Sequence, residues 1–101
     1  MLLCLLPSLA SAQSTISGEV RDASGAVIAN ATVEAASDVL IEKSRSVSTN
    51  GEGRYAIVDL RPGTYTVTVS LGGFTTVKQT VIVPANVTVP VDAELKPGSV
   101  G

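Results

Sequence analysis

Four aspartates (Asp22, Asp38, Asp59 and Asp92) and three isolated serines (Ser17, Ser44 and Ser70) are the side chains with the most obvious chemistry to offer. Carboxylates bind hard cations when several oxygens converge from one loop. No Asp-x-Asp-x-Asp-Gly spacing occurs, so calcium is not expected, and Asp22 and Asp59 read as turn and strand-end residues. A serine needs an adjacent base before it becomes a nucleophile. The chain contains no histidine, which removes the usual base near neutral pH and the commonest metal ligand together. Zinc hydrolysis at a histidine-containing site is excluded. The expectation is therefore a non-enzyme with no catalytic residue, no cofactor-binding residue, no metal ligand and no cofactor.

The aromatic side chains offer a different chemistry. Tyr55, Tyr65 and Phe74 are the only rings in the sequence. Exposed rings would give the apolar face of a sugar a platform for stacking. From Tyr65 onward, however, Tyr65, Val67, Val69 and Leu71 share one parity, and Thr64, Thr66, Thr68 and Ser70 share the other. That period of two marks a half-buried strand. It places both tyrosines inward, with their hydroxyls reaching for a backbone partner. Two Asn-x-Thr triplets, Asn30-Ala31-Thr32 and Asn86-Val87-Thr88, match the glycosylation pattern and are read as coincidence.

Composition sets the frame for these residues. A chain of 101 residues is one domain at most, and 45% hydrophobic content separates it from disordered chains. With 3% aromatics and no Trp, the core must be aliphatic. A net charge of −2, with seven scattered Lys and Arg, gives no nucleic-acid footprint. The single cysteine, Cys4, allows no intrachain disulfide. It lies in an apolar run from Met1 to Ala12 that ends Ala10-Ser11-Ala12, the form of a cleavage site before Gln13. We read residues 1–12 as an export signal lacking a basic start. At a dozen residues it is too short to span a bilayer, which needs about 20, so no membrane insertion is expected.

Seven apolar-alternating runs follow. The first holds Ile16, Gly18 and Val20 and ends at Asp22-Ala23-Ser24-Gly25, a type I turn signature. Val27-Ile28 lead into a second run with Ala31, Val33 and Ala35. Leu40–Thr49 predicts a polar third strand, with Ile41 and Val47 as its apolar positions and Lys43 and Arg45 guarding a sheet edge. Asn50-Gly51 is a hairpin signal before a fourth strand from Tyr55 to Leu60. Pro62-Gly63 suits a type II turn before a fifth, Thr64–Leu71. Gly72-Gly73 turns into a sixth, Phe74–Val83. The seventh points Val87, Val89, Val91, Ala93 and Leu95 inward, and Pro90 marks it as an edge. Such spacing, without helical periodicity, predicts an all-β fold, a seven-stranded antiparallel β-sandwich of Greek-key type over residues 13–95. Residues 96–101 have linker composition.

Five motif blocks in order carry a resemblance: Gly18-x-Val20-x-Asp22-x-x-Gly25, Asn30-Ala31-x-Val33, Gly51-x-Gly53-x-Tyr55, Leu60-x-Pro62-Gly63-x-Tyr65 and Gly73-Phe74. Over about residues 15 to 95 they resemble the carboxypeptidase regulatory-like domain. The resemblance implies a transthyretin-like (prealbumin-like) sandwich and a non-catalytic spacer or protein-interaction module. Such domains stand at the exported N-terminus of TonB-dependent outer-membrane receptors. That implies a periplasmic, outer-membrane-associated or extracellular location, with a protein partner or the rest of a larger receptor chain. The family's carbohydrate-binding-like fold class implies the alternative, a carbohydrate-binding module serving glycan uptake or degradation. One departure is Asp38-Val39-Leu40, standing where a Gly-containing turn is usual. Another is that no TonB box or plug sequence is present, so receptor function is not carried over to these 101 residues; separately, Thr15–Arg21 contains no lysine for the core isopeptide bond of the related collagen-adhesin repeats.

Overall fold

The computed structural model describes residues 13–98. The expected export signal, with Cys4, and the tail 99–101 lie outside the described residues. One sheet contains β1 (Ser14–Asp22), β4 (Arg54–Leu60), β7 (Thr88–Pro90) and β8 (Ala93–Leu95), with β1 central. The other contains β2 (Thr32–Ala36), β3 (Ser44–Ser48), β5 (Gly63–Ser70) and β6 (Val77–Val83), in the order β3-β2-β5-β6. The all-β sandwich expected from the alternation is the fold the chain adopts.

Among the described residues eight strands form where seven are expected, because the last run breaks at Val91-Asp92. The two pieces also run parallel to β1, at Thr15↔Thr88 through Ser17↔Pro90 and at Val20↔Ala93 through Asp22↔Leu95. Every other strand pair is antiparallel. The exception has a topological cause. The chain leaves β6 in one sheet and crosses to the other before reaching β1, so no tight turn dictates opposite directions.

Two turns of the sequence, the Asn50-Gly51 hairpin signal and the Pro62-Gly63 turn, are crossings between sheets. β3 and β4 lie in different sheets, as do β4 and β5. At the first crossing, Asn50 Oδ1 accepts the backbone N–H groups of Glu52 and Arg54, and Gly53 takes the positive φ of 75°. Asn50-Gly51 thus caps a corner. At the second, Gly63 takes no positive φ, so the expected type II turn is not made. A Cβ at Gly63 would lie 2.8 Å from Val39 Cγ1, and the glycine is there to admit that side chain.

The β2–β3 hairpin is genuine but shorter in strand than expected. Residues 37–43 form its loop, closed by Ser37 N–H to the Lys43 carbonyl, and Lys43 takes the positive φ (70°) that a glycine would otherwise supply. Leu40 is buried inside that loop, whereas Ile41 is 84% exposed. Asp22-Ala23-Ser24-Gly25 forms the expected turn, with Gly25 N–H donating to the Asp22 carbonyl.

The core lies between the sheets. Ile16 and Val20 from β1, Val33 and Ala35 from β2, Ile57 and Leu60 from β4, and Val67 and Val69 from β5 are all buried. Each fully buried Val, Leu or Ile side chain contributes about 1.5–3 kcal/mol relative to exposure. Alternation would turn Leu60 outward if β4 were regular. Its register against β1 shifts from Ile16↔Ile57 to Ser14↔Leu60, so one extra residue is accommodated at Val58-Asp59. Asp59 takes φ 61°, and the bulge returns Leu60 to the core.

Candidate functional site

The densest constellation of polar and special backbone groups sits where β7 breaks from β8. Val91 N–H donates to the Ser17 carbonyl at 2.8 Å, and Glu19 N–H donates to Asp92 Oδ1 at 2.8 Å. The Val91 carbonyl points inward and accepts the Tyr55 hydroxyl at 2.5 Å. Gly18 faces this carbonyl directly, with no room for a side chain. Pro90 has no N–H, and the ladder stops there. Tyr55 and Asp92 take over the backbone groups that a continuous strand would have paired.

The second tyrosine locks the β4–β5 crossing. Tyr65, fully buried on β5, donates its hydroxyl to the Arg61 carbonyl four residues upstream at 2.6 Å. Both tyrosines therefore lie inward and bond to backbone, as their parity predicts. Phe74 is half-buried against the same core. No described aromatic ring is exposed for sugar stacking.

Burial raises both phenols. The Tyr55 hydroxyl is pushed up to about 12, first by desolvation and then by the nearby Asp92 carboxylate. Tyr65 is also raised, chiefly by burial. In the unfolded chain a tyrosine ionises near 10.0. Between pH 10 and about 12 the unfolded state has shed a proton that folded Tyr55 keeps. Stability is therefore whole below pH 10 and falls as pH rises through that window. Urea midpoints measured below and within the window should fall for the wild type and fall less for Tyr55→Phe. Equal slopes for both proteins would contradict the assignment.

The four aspartates are scattered, and each that makes a contact organises backbone. Asp22 Oδ1 accepts Ser24 N–H, the Ser24 hydroxyl and Ala26 N–H, and the hydroxyl bond is the main reason its carboxyl lies below the usual range. Asp59 forms the bulge, Asp92 holds Glu19 N–H, and Asp38 sits exposed in the β2–β3 loop. Among the described residues no three His, Cys, Asp or Glu side chains gather as a metal site. Glu19, Asp22, Asp92 and Glu94 do border a shallow groove of about 420 Å³ with Arg21, whose guanidinium is already bonded to Glu19 and to the Gly25 carbonyl. Ser17 lies on β1, Ser44 on β3 and Ser70 on β5, so the three serines are not brought together.

Several residues escaped the sequence reading. Arg45, expected as an edge guard on β3, does more. Its guanidinium reaches across to β4 and donates to the Val58 and Asp59 carbonyls, while Glu42 holds its other nitrogens at 2.7 and 3.0 Å. It stitches one side of the sandwich at the bulge. Thr49 is buried, accepting Ala31 N–H and donating to the Ile28 carbonyl. Ser14 is buried too and donates to the Pro84 carbonyl. The only signal for these was a hydroxyl or cation in an otherwise apolar or strand-like run.

The opposite side is closed by backbone. Thr75 N–H donates to the Lys96 carbonyl and Gly98 N–H to the Gly73 carbonyl, with Phe74 bridged to Pro97. Lys96–Gly98, of linker composition, is therefore tied to the β5–β6 turn. Val87, expected inward, is 40% exposed in the crossing that precedes β7.

No curated protein matches the sequence. Among solved structures, the Bacillus anthracis TIE protein is similar with a TM-score of 0.71 at 15% identity, over 84% of this chain and 16% of that one. Catechol 1,2-dioxygenase from Acinetobacter sp. ADP1 gives 0.70 at 14% identity, over 92% of this chain and 55% of that one. The group B streptococcus pilus 2b backbone protein gives 0.64 at 18%, over 84% and 41%. The chain spans less than two thirds of each of these proteins, and at such identities the likeness is one of fold alone. The sequence itself is more specific. The family model of the carboxypeptidase regulatory-like domain matches residues 15–96. With that match spanning the whole sandwich, the chain belongs to the carboxypeptidase regulatory-like domain family.

Proposed function

We propose that the chain is a non-catalytic, exported β-sandwich module acting as a spacer or protein-interaction domain. In this reading it forms the N-terminal part of a TonB-dependent receptor-like outer-membrane protein. One observation carries the proposal: among the described residues, the buried and turn-forming side chains able to do chemistry are engaged in holding backbone. Tyr55 and Tyr65 secure carbonyls, Asp22 and Asn50 cap turns, and Thr49 bonds in both directions. What remains for a partner is strand edge and loop. The regulatory-like character of the family supports the same conclusion. Export is supported by the apolar run over residues 1–12 and its Ala10-Ser11-Ala12 ending.

Each half has its own test. A C-terminally tagged chain made in a Gram-negative host should be recovered from the periplasm with Gln13 as its first residue. Recovery from the cytoplasm with Met1 intact overturns export. The DNA just downstream of the Gly101 codon should encode a plug and barrel in frame, and an immediate stop codon overturns the receptor reading. Intrinsic tyrosine fluorescence should stay fixed across a panel of polysaccharides, because both rings are buried. A saturable change would favour the carbohydrate-binding alternative instead.

A further inference from the structure

Sheet edges expose unpaired N–H and C=O groups, and proteins ordinarily blunt them with charge, proline, bulges or cover. Three sides of this sandwich are blunted. β3 and β4 share the Arg45 stitch and the Val58-Asp59 bulge. β7 is three residues long and ends in Pro90. β8 runs on into the segment tied to Gly73–Thr75. β6 is different. It is seven residues long, pairs with β5 without interruption from Val77 to Val83, and among the described residues no strand is hydrogen-bonded to its other side, although β8 of the facing sheet comes close to it. It carries a single charge, Lys78, and its Ile82 side chain is 75% exposed.

We infer that β6 is a self-association edge, which pairs antiparallel with β6 of a second copy about a two-fold axis at Thr80. The strand's own pattern selects this occupant. A two-fold perpendicular to the sheet keeps core face beside core face, so only residues of the same parity can stand opposite each other. Of those registers, the one centred on Thr80 pairs all seven residues, and every shift loses some. It sets Thr80 against Thr80, a favourable cross-strand pair. It sets Val77 against Val83 and Gln79 against Val81 on the inner face, extending the apolar row. On the outer face Lys78 meets Ile82 of the second copy, so the only charge never faces its like. The aliphatic stem of the lysine covers the exposed isoleucine. Two four-stranded sheets then join as one continuous sheet. An interface limited to one strand pair is small, and the dimer is weak and reversible, with a dissociation constant on the order of 100 μM.

The test reads the register itself. Sedimentation velocity of the wild-type chain over a concentration series should show monomer giving way to dimer. Ile82→Lys places a new ammonium opposite Lys78 at both ends of the ladder and should weaken dimerisation roughly tenfold. Adding Lys78→Glu to that variant places opposite charges together and should bring the constant back to within about threefold of wild type. Ser46→Lys adds the same charge to the same face at the far edge, on β3, and should leave association unchanged. Backbone amides of β6 that point away from β5 should gain concentration-dependent protection from hydrogen exchange. A chain that stays monomeric at millimolar concentration overturns the inference, including one that binds only strands of other proteins. So does a double variant no better than Ile82→Lys, or a Ser46→Lys variant equally weakened. Ile82 and Ser46 are solvent-facing, so the variants are compatible with folding.

Discussion

A single methyl group added at Gly18 should cost the domain about 3 kcal/mol or more. The Cβ would overlap the Val91 carbonyl oxygen and lie 2.6 Å from its carbonyl carbon, with Asp92 Oδ1 at 3.1 Å. Overpacking often costs less when the obstacle is a flexible side chain. Here it is backbone, and that backbone is held by Ser17, by the Tyr55 hydroxyl and through Asp92 by Glu19. Relief requires β7 and β8 to leave β1, which breaks several of these bonds together. For a domain of this size the loss corresponds to a fall in Tm of more than about 12 °C. Gly72→Ala is the matched control, because a Cβ there meets nothing within 4 Å and the residue takes no positive φ. A Gly18→Ala protein within about 1 kcal/mol of the Gly72→Ala protein would show that the junction is softer than its bonding indicates.

The second large effect is expected at Tyr65. Truncation to alanine empties the space of a fully buried ring and should cost about 3–5 kcal/mol, as aromatic-to-alanine changes in cores do. Tyr65→Phe keeps the ring and removes only the bond to the Arg61 carbonyl, a loss of roughly 1 kcal/mol. The ratio separates two roles that the alanine variant merges: filling the core and fixing the crossing from β4 to β5. Urea denaturation at constant m measures both. If Tyr65→Phe were as damaging as Tyr65→Ala, the hydroxyl bond and not the packing would be the main support of that corner.

The sequence made the faces of individual strands readable and their partners much less so. Alternation along β5 puts Tyr65, Val67 and Val69 inward, and all three are buried. The Asp22–Gly25 turn is equally local, since its acceptor, donors and glycine lie within a few residues. Asn50-Gly51 misleads because a hairpin and an inter-sheet crossing can share the same turn chemistry, and Pro62-Gly63 because its glycine admits Val39 and takes no positive φ. The difference lies in where each strand finds its neighbours, and for β4 that neighbour is β1, far back along the chain. The Val58-Asp59 bulge could not be read either. An extra residue becomes visible only against the register of a partner strand. The Arg45 stitch depends on that bulge, so it was hidden for the same reason. β6 gives no edge signal in the sequence, because charge and proline mark Leu40–Thr49 and Val87–Leu95 as edges, and these features belong to edges that are already protected.

The parallel placement of β1 beside β7 and β8 has a mechanical consequence. Opposed forces applied at Ser14 and Leu95 act along the axes of strands that lie side by side. The intervening hydrogen bonds are then loaded in shear and must rupture collectively, whereas a hairpin pulled from its open end peels bond by bond. Drawn taut between two anchors, this domain behaves as a rivet and does not unzip.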